Sequence, residues 1–390
     1  MKKYLFIILM FCTSFAFGQV SNPFYQSVVS NVSYDSILCH LQHFQSLGVK
    51  SPGSSALLNT RNWLVSKYQS FGYTSIVQDN FTYQSNTMTN IVVTKTGTLY
   101  PNTFLIVSGH YDTKNGTGTN DNGSGVSIIL EVARLLANIS TNYSVKFINF
   151  SGEESGFRGS SHYADDIVQA QGLDILLVFN IDEVGGVAGM ANNTIRCESD
   201  QSSSFPSVST NNAASAAYTD TLVTLTQLYS GLNTVITNAY GSDYMPFEYN
   251  GEIITGYYED NESSVVHTSN DNLAHLDTSY VYQIAKAATG STLYFAGAYD
   301  NTTEFTQRRA DNDFLIYPNP VTDEIIIRNT SESTETIQIF DMKGCFIMVF
   351  QVPGKSENSV DLSQLPAGLY IFEISDGQGD AVGRRMVSKM

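Results

Sequence analysis

The chain has 390 residues, of which 42% are hydrophobic and 15% are charged, a balance typical of folded rather than disordered proteins. This length accommodates one large α/β domain together with a smaller second domain. The 37 acidic residues outnumber the 20 basic residues and give a formal net charge of −17. Nucleic-acid binding needs clustered Lys and Arg, so this charge argues against a nucleic-acid partner.

The N-terminus is typical of a secretory signal peptide over residues 1–18. Lys2 and Lys3 precede an apolar run at 4–17, and the small residue Gly18 stands at the predicted cleavage site. The run is too short to cross a bilayer, and no later stretch has the roughly 18 consecutive apolar residues that a transmembrane helix needs. We therefore expect an exported protein without a transmembrane segment.

The sequence contains four cysteines, and Cys12 lies within the predicted signal peptide. The others, Cys39, Cys197 and Cys345, are too few and too scattered for a disulfide scaffold. The pattern favours buried free thiols, with a Cys39–Cys197 bridge as the alternative.

Helical and extended patterns alternate after the signal peptide. Apolar residues at helical spacing predict helices at 35–47, 57–71, 126–137, 219–228 and 280–294. Apolar runs predict strands at 90–94, 103–108, 144–150 and 173–181, and acidic residues and glycine follow each of the last three. Near-continuous apolar strands suit a mostly parallel sheet that is covered on both faces, so we predict an α/β domain over 19–300.

The character of the sequence changes near Asp300. Residues 301–313 are polar and charged, which is typical of a linker. Short alternating runs then predict strands at 324–328, 337–340, 346–350 and 369–374, separated by turn residues. We therefore predict a small all-β sandwich over 314–390.

Histidines and carboxylates follow the predicted strands of the first domain, at the edge where open α/β sheets bind ligands. The set consists of His110, Asp112, Asp121, Glu153, Glu154, Asp182 and the later His267. Imidazole and carboxylate are ligands that suit Zn²⁺. Buried carboxylates also repel one another unless a cation neutralises them. The sequence therefore predicts a metal site at this edge.

Spacing suggests roles within this set. His110 and Asp112 are two residues apart on an extended segment and point the same way, so Asp112 is placed to orient the imidazole. Glu153 and Glu154 are adjacent and diverge, so one can ligate while the other acts as general base. Asp121 lies in the loop between the other ligands and is the candidate to bridge two metal ions.

Six motifs occur in a fixed order: HYD (110–112), NDNGSG (120–125), SGEESGFRGS (151–160), NIDEVGG (180–186), GSDYMPF (241–247) and VVHTSNDNLAHLD (265–277). Together they resemble the co-catalytic dizinc aminopeptidases of metallopeptidase family 28, over roughly residues 30–298. The resemblance implies a three-layer α/β/α sandwich on a mostly parallel mixed sheet. It also implies a metalloprotease that hydrolyses N-terminal residues from peptides with a free N-terminus.

The resemblance further implies two Zn²⁺ ions per chain. One would be held by His110 and Asp182, the other by Glu154 and His267, with Asp121 as the bridge. Glu153 would be the general base, Asp112 would orient His110, and Asp243 would support the ligands from behind. Several relatives have a tyrosine where this chain has Val266. Tyr244, Tyr257 and Tyr258 are therefore candidates to line the substrate pocket and assist the oxyanion.

The C-terminal module contains YPNPVTDEIIIR (317–328), IQIFDMKG (337–344), VDLSQLPAGLYIFEI (360–374) and a basic end. These segments resemble the sorting domain of type IX secretion cargo. The resemblance implies export through the periplasm of a Gram-negative bacterium by the type IX machinery, and then a secreted or cell-surface location. The alternative is a sandwich that binds carbohydrate or protein.

Two alternative functions stay open. A glutaminyl cyclase shares much of this ligand set but binds one zinc ion, and those enzymes resemble one another in a Trp-rich pocket. This chain has a single tryptophan, Trp63, far upstream of the motifs. The other alternative is a non-catalytic peptide-binding surface protein, against which the intact Glu153 beside Glu154 speaks.

Overall fold

The computed structural model describes residues 22–200, 210–300, 313–341, 346–376 and 381–390. The chain divides into two compact units, which separate between Tyr299 and Asp300. The predicted signal peptide, and all of the predicted linker except Asp313, lie outside the described residues.

The first unit is built on an eight-stranded sheet with the order β1-β2-β5-β3-β6-β9-β7-β8. Its strands are β1 (Ile76–Tyr83), β2 (Asn86–Lys95), β3 (Tyr100–His110), β5 (Tyr143–Phe150), β6 (Asp174–Ile181), β7 (Thr194–Ser199), β8 (Asn233–Asn238) and β9 (Ile254–Glu259), while β4 (Ser140–Thr141) and β10 (Ala298–Tyr299) form a separate pair. The pairings β3–β5, β3–β6, β6–β9 and β7–β8 are parallel and the other three are antiparallel. The predicted mostly parallel mixed sheet is confirmed.

Helices cover this sheet. They are α1 (Pro23–Val29), α2 (Tyr34–Ser46), α3 (Ser55–Ser70), α4 (Gly123–Leu136), α5 (Arg158–His162), α6 (Asn212–Ser230), α7 (Met245–Tyr249) and α8 (Thr278–Phe295), with short 3-10 turns at Glu153–Ser155 and Leu273–His275 and a π-helical segment at Tyr163–Gln169. Side chains alternate across β3, so Leu105 and Val107 pack into one apolar core while Ile106 packs into the other. Burial on both faces explains why the central strands are apolar throughout, and the predicted three layers are confirmed.

The predicted elements match the observed ones best where the apolar pattern is strong. The helices predicted at 35–47, 57–71 and 280–294 occur within about two residues of their predicted ends. The strand predicted at 103–108 continues through His110, so the first histidine of the site belongs to β3 itself. Helix α6 begins seven residues before its predicted start at 219, because its first turns are rich in Ala and Ser and show little apolar stripe.

The second unit consists of two antiparallel sheets around an apolar core. One contains β11 (Phe314–Tyr317), β12 (Glu324–Asn329) and β15 (Ser356–Asp361), and the other contains β13 (Glu335–Asp341), β14 (Phe346–Val352), β16 (Gly368–Ser375) and β17 (Ala381–Lys389). Ile325 and Ile327 of the first sheet share this core with Ile337, Ile339 and Phe372 of the second. The predicted small β-sandwich is confirmed.

The described cysteines are both free. Cys197 is buried as predicted, but Cys39 is exposed, because it lies on the face of α2 opposite the inward-facing Ile37, Leu41 and Phe44. Cys345 lies outside the described residues. In the part of the chain that the structure describes, no helix combines the length and apolar character needed to cross a membrane.

Candidate metal centre and active site

Three neighbouring parallel strands bring the site residues together. β3 lies between β5 and β6 in the sheet, so the carboxyl ends of all three strands meet at one edge. His110 ends β3, Glu153 and Glu154 follow β5 after a two-residue turn, and Asp182 directly follows β6. Residues separated by more than 70 positions therefore face one another.

The first candidate metal-binding group is buried. His110 Nε2 lies 3.1 Å from Asp121 Oδ1 and 3.2 Å from Asp182 Oδ1. One ligand atom from each of the three residues lies within 4.8 Å of the others. These three side chains can hold one metal ion.

The second candidate group shares Asp121 with the first. His267 Nε2 lies 3.0 Å from Asp121 Oδ2 and 2.9 Å from Glu154 Oε2. Asp121 thus directs Oδ1 to one histidine and Oδ2 to the other. The His267 side chain is 43% exposed, against 1% for His110, so the second group faces the solvent.

This set of histidine and carboxylate ligand atoms fits a metal cation better than it fits protons alone. Within the described residues, the five carboxylates of Asp112, Asp121, Glu153, Glu154 and Asp182 form ion pairs with histidines only. The buried atoms Glu154 Oε1 and Asp182 Oδ1 have no hydrogen-bond partner. Unsatisfied buried oxygens call for a bound group, and a set of His and carboxylate ligands suits zinc.

The tautomer of His110 supports the same conclusion. Its Nδ1 lies 3.0 Å from the main-chain carbonyl oxygen of Asp112, which can only accept a hydrogen bond. Nδ1 therefore carries the proton of the neutral ring, and the lone pair of Nε2 points at Asp121 and Asp182. That arrangement is the one a metal-binding histidine requires.

Crowding of acidic groups perturbs the pKa values here. Burial and then the Asp121 carboxylate raise the pKa of Glu154 to about 8. Burial also raises the pKa of Glu153 well above its ordinary value, with Asp182 and Asp243 adding to the effect. For His110, burial opposes the charged form, but Asp182 and Glu153 prevail and raise its pKa well above 6.5. The pocket thus favours extra positive charge.

Glu153 and Asp112 stand beside the metal-binding groups without joining them. Glu153 Oε2 lies 3.9 Å from His110 Nε2, and its side chain is 12% exposed. Asp112 Oδ1 accepts a hydrogen bond from the Glu153 main-chain N–H at 3.1 Å. The carboxylate of Asp112 is 3.8 Å from His110 Nδ1, farther than its own carbonyl oxygen. Asp112 therefore contacts His110 through its main chain and positions Glu153 through its side chain.

Close packing between α4 and β6 fixes the loop that carries Asp121. Asn122 Nδ2 donates to the Ile181 carbonyl oxygen at 2.9 Å, and Asn122 Oδ1 accepts from the Gly125 N–H at 3.0 Å. A Cβ at Gly125 would lie 2.3 Å from the Ile181 carbonyl oxygen, and one at Gly109 would lie 2.7 Å from it. Glycine at both positions lets the helix approach the strand.

The candidate tyrosines occupy different environments. Tyr244 and Tyr257 are fully buried, and their hydroxyls bond to Glu198 and Thr226 respectively, which assigns both to packing rather than to substrate contact. Tyr258 is half-buried, and its hydroxyl donates to Glu183 Oε2 at 3.4 Å. Of the three, Tyr258 is the one available to a substrate.

Asp243 lies behind the metal-binding groups. It is fully buried, and burial raises its pKa to about 7 although His110 opposes the shift. Both of its side-chain oxygens lack a close hydrogen-bond partner. Asp243 therefore interacts electrostatically with His110, Asp182 and Asp112 from the interior, while its burial favours the neutral carboxyl form.

Sequence reasoning missed Glu183 and Asp271. Glu183 is half-buried, adopts φ 45°, and has its pKa raised to about 10 by burial and by Asp121 and Asp182. Asp271 Oδ1 and Oδ2 accept the main-chain N–H groups of Asn120 and Asp121 at 2.7 and 3.1 Å. Glu183 directly follows Asp182 and Asp271 lies four residues after His267, so proximity to candidate ligands was the available signal.

Comparisons with known proteins identify the families of both units. Residues 90–291 match the family model of peptidase family M28, and residues 315–389 match that of a secretion system C-terminal sorting domain. Aminopeptidase YwaD of Bacillus subtilis is 30% identical over 199 residues, which cover 47% of this chain and 41% of YwaD. A probable zinc metalloprotease of Pyrenophora teres f. teres is 27% identical over 196 residues, covering 43% of this chain and 42% of the relative. The chain thus matches less than half the length of these relatives.

Solved structures share the fold. The LapA aminopeptidase of Legionella pneumophila superposes with a TM-score of 0.60 at 21% identity, covering 71% of this chain and 75% of LapA. A glutaminyl cyclase of Macrostomum lignano gives 0.61 at 16% identity, covering 72% and 94%. Likeness at these identities establishes the architecture, which both kinds of enzyme use. The second unit carries a C-terminal secretion sorting domain.

Proposed function

The chain belongs to peptidase family M28, and from this premise we propose that it is a secreted zinc metallo-exopeptidase that removes N-terminal residues from peptides. The observation that carries the proposal is the division of the Asp121 carboxylate between two histidines, His110 and His267. A carboxylate shared in this way supports a pair of zinc ions rather than one.

The proposed ligands fall into the two groups already described. His110 and Asp182 would hold one zinc ion, Glu154 and His267 the other, and Asp121 would bridge them. When bound, a zinc pair supplies a Lewis acid that polarises the scissile carbonyl group and makes the attacking water more acidic.

Glu153 is the proposed general base. Its carboxylate belongs to neither metal-binding group, yet Oε2 lies 3.9 Å from His110 Nε2, and the Glu153 side chain is 12% exposed. Asp112 fixes the main chain of Glu153, which keeps the carboxylate at a constant position. Oε2 would accept a proton from the attacking water and deliver it to the leaving amine.

Glu183 and Tyr258 support a preference for substrates with a free amine. Glu183 directly follows the proposed ligand Asp182 but lies outside both metal-binding groups, and its carboxylate Oε2 accepts a hydrogen bond from the Tyr258 hydroxyl at 3.4 Å. With cations bound at the neighbouring groups, the Glu183 carboxyl would be ionised, and a substrate ammonium group would replace part of the hydration that this carboxylate loses on burial. N-acetylated peptides offer no such charge.

The C-terminal sorting domain supports export of the enzyme domain. Its sequence resembles cargo of the type IX secretion system, so we propose that this machinery of a Gram-negative bacterium carries the chain from the periplasm to the surface or the medium. Peptides with a free N-terminus and the secretion machinery are then its partners.

The deciding experiment compares aminoacyl para-nitroanilides with their N-acetylated forms and with glutaminyl substrates, before and after treatment with a chelator. We expect hydrolysis of the free-amine substrates only, loss of activity on chelation, and two zinc ions per chain by metal analysis. Cyclisation of glutaminyl substrates with one zinc ion per chain would instead favour the cyclase. Absence of any turnover with metal bound would favour the non-catalytic alternative.

A further inference from the structure

A fully buried carboxylate, Glu259, ends strand β9 beside the proposed metal centre. Its Oε1 accepts from the Ser263 N–H at 2.7 Å, and its Oε2 accepts from the Gly186 N–H at 2.6 Å. The Asn120 side-chain amide donates to both oxygens, at 3.0 and 3.1 Å. Every one of these partners is an N–H donor, the pattern that suits an ionised carboxylate.

The donors come from the three loops that carry the long-range ligands. Asn120 immediately precedes Asp121, Gly186 lies four residues after Asp182, and Ser263 lies four residues before His267. The Glu259 carboxylate is therefore the common partner of loops that are distant in sequence. Among the described residues it forms no ion pair with Lys or Arg, so these N–H groups alone compensate its burial.

Asn120 extends this network toward the bridging ligand. Its Oδ1 accepts from the Gly185 N–H at 2.7 Å, while Asp271 accepts the main-chain N–H groups of Asn120 and Asp121. The peptide that carries Asp121 is thus held between two buried carboxylates, those of Glu259 and Asp271. A displacement of Asn120 would shift Asp121 relative to both histidines.

We propose that Glu259, acting through Asn120, is a positioning residue that sets the spacing of the two metal-binding groups and so the affinity for the second metal ion. The inference rests on the proposed two-zinc function. Its physical basis is that a bridging carboxylate serves both ions only within a narrow range of positions. Groups that orient metal ligands from behind typically change metal affinity by about 10- to 100-fold.

The effect should fall mainly on the ion held by Asp121, Glu154 and His267. The other group is buried, and His110 is additionally fixed at the end of a central strand. His267 is partly exposed, lies outside the regular helices and strands, and has φ 58°, which a non-glycine residue adopts only when its surroundings enforce it. Its loop therefore depends more on the Ser263 and Asp271 contacts.

The test is titration of the metal-free full chain with Zn²⁺ in the presence of a competing indicator chelator. Glu259→Gln replaces an acceptor oxygen by an amide NH₂ group, which cannot accept a hydrogen bond from the facing N–H group. We expect the dissociation constant of the weaker of the two zinc sites to rise about 10- to 100-fold. Glu131→Gln is the control for removal of a buried negative charge, because Glu131 is also a fully buried carboxylate with a main-chain N–H partner. It differs from Glu259 in pairing with Arg134 and in its position near the middle of α4. This control variant should leave both constants unchanged.

The pair Asn120→Asp with Glu259→Gln reverses the polarity of the contact and should restore the weaker constant in part, a recovery that general destabilisation would not produce. If Glu259→Gln fails to fold, Asn120→Ser tests the same contact, because it removes the side-chain amide that donates to Glu259. Two zinc ions in the wild type with constants unchanged in the Glu259 and Asn120 variants would overturn the inference. Fewer than two ions in the wild type would instead overturn the proposed function on which it rests.

Discussion

His110 donates its Nδ1 proton to the main-chain carbonyl oxygen of Asp112 over 3.0 Å, and the Asp112 carboxylate is left free to bind the main chain of Glu153. The tautomer of His110 therefore does not depend on the identity of side chain 112. The main chain and the side chain of Asp112 therefore have separate contacts, which a substitution at this position can distinguish.

Asp112→Asn should separate metal binding from catalysis. The carbonyl oxygen that fixes His110 is retained, so we expect two zinc ions per chain to remain. The neutral amide is a weaker acceptor for the Glu153 N–H, and we expect kcat to fall about tenfold as the base loses its fixed position. Loss of zinc from this variant would show that the carboxylate, rather than the carbonyl oxygen, orients the imidazole.

Glu153→Gln should abolish proton transfer while the metal stays bound. The residue belongs to neither metal-binding group, so metal analysis should give the wild-type zinc content. General acid–base catalysis is worth about 10²- to 10⁴-fold, and kcat should fall by that factor with little change in KM. Glu154→Gln is the contrasting variant, because it removes a proposed ligand and should cost one zinc ion. Equal zinc loss in both variants would contradict the assignment.

Glu183→Gln should weaken recognition of the substrate amine. We expect KM for aminoacyl para-nitroanilides to rise about tenfold, since one charge-assisted hydrogen bond is worth roughly 1.5–3 kcal/mol and solvent replaces part of it. The ratio of rates on free and N-acetylated substrates should fall as well. Parallel kinetics with leucyl and lysyl substrates would then show whether the α-ammonium group or a basic side chain is the partner.

Tyr257→Phe and Tyr258→Phe form a matched pair that tests the two environments. The Tyr257 hydroxyl is buried against Thr226, so its removal should cost about 1 kcal/mol of unfolding free energy and leave KM unchanged. Tyr258 is only half-buried and its hydroxyl lies 3.4 Å from Glu183 Oε2, so its removal should alter KM with little loss of stability. Denaturant unfolding and steady-state kinetics on both proteins give the comparison.

Glu198→Gln should make the stability of the protein less sensitive to rising pH between about 5 and 8. Burial raises the pKa of Glu198 to about 8, although the hydrogen bond from Tyr244 opposes the shift. Because this folded-state pKa exceeds the unfolded value, the contribution of Glu198 is fully present below about pH 4.5 and is lost as pH rises through about 8. The variant should therefore gain stability relative to wild type between about pH 5 and pH 9. A difference in unfolding free energy that is constant across this range would contradict the buried-carboxylate interpretation.

The candidate metal ligands could be predicted because they follow the most distinctive segments of the sequence. The apolar runs at 103–108, 144–150 and 173–181 identify the central parallel strands, and chain direction alone then places the acidic residues after them at one edge. Their assignment to two groups that share Asp121 followed from the family resemblance. Spacing leaves open which Asp121 oxygen faces which histidine, and only the structure shows that Oδ1 faces His110 and Oδ2 faces His267.

Other features had no comparable signal. β8 is an edge strand with a largely exposed pattern, and the run that forms β9 is short and contains Gly256, so neither strand was predicted. Without β9, the position of Glu259 at its end could not be inferred. Side chains alternate between the two faces of β9, so Tyr257 packs into the core while Tyr258 lies beside Glu183. The sequence alone does not show which of the two adjacent tyrosines faces which way.

The contact between Gly125 and the Ile181 carbonyl oxygen limits how the site can be engineered. Even a methyl group at 125 would push the start of α4 away from β6 and carry Asp121 with it, so a substitution that touches none of the proposed ligands would disrupt the proposed zinc site. Mutant libraries meant to broaden the range of accepted peptides are better concentrated at the rim around Tyr258, with positions 109 and 125 held constant. Inactive variants from such a library would then result from poor substrate binding rather than from displacement of α4.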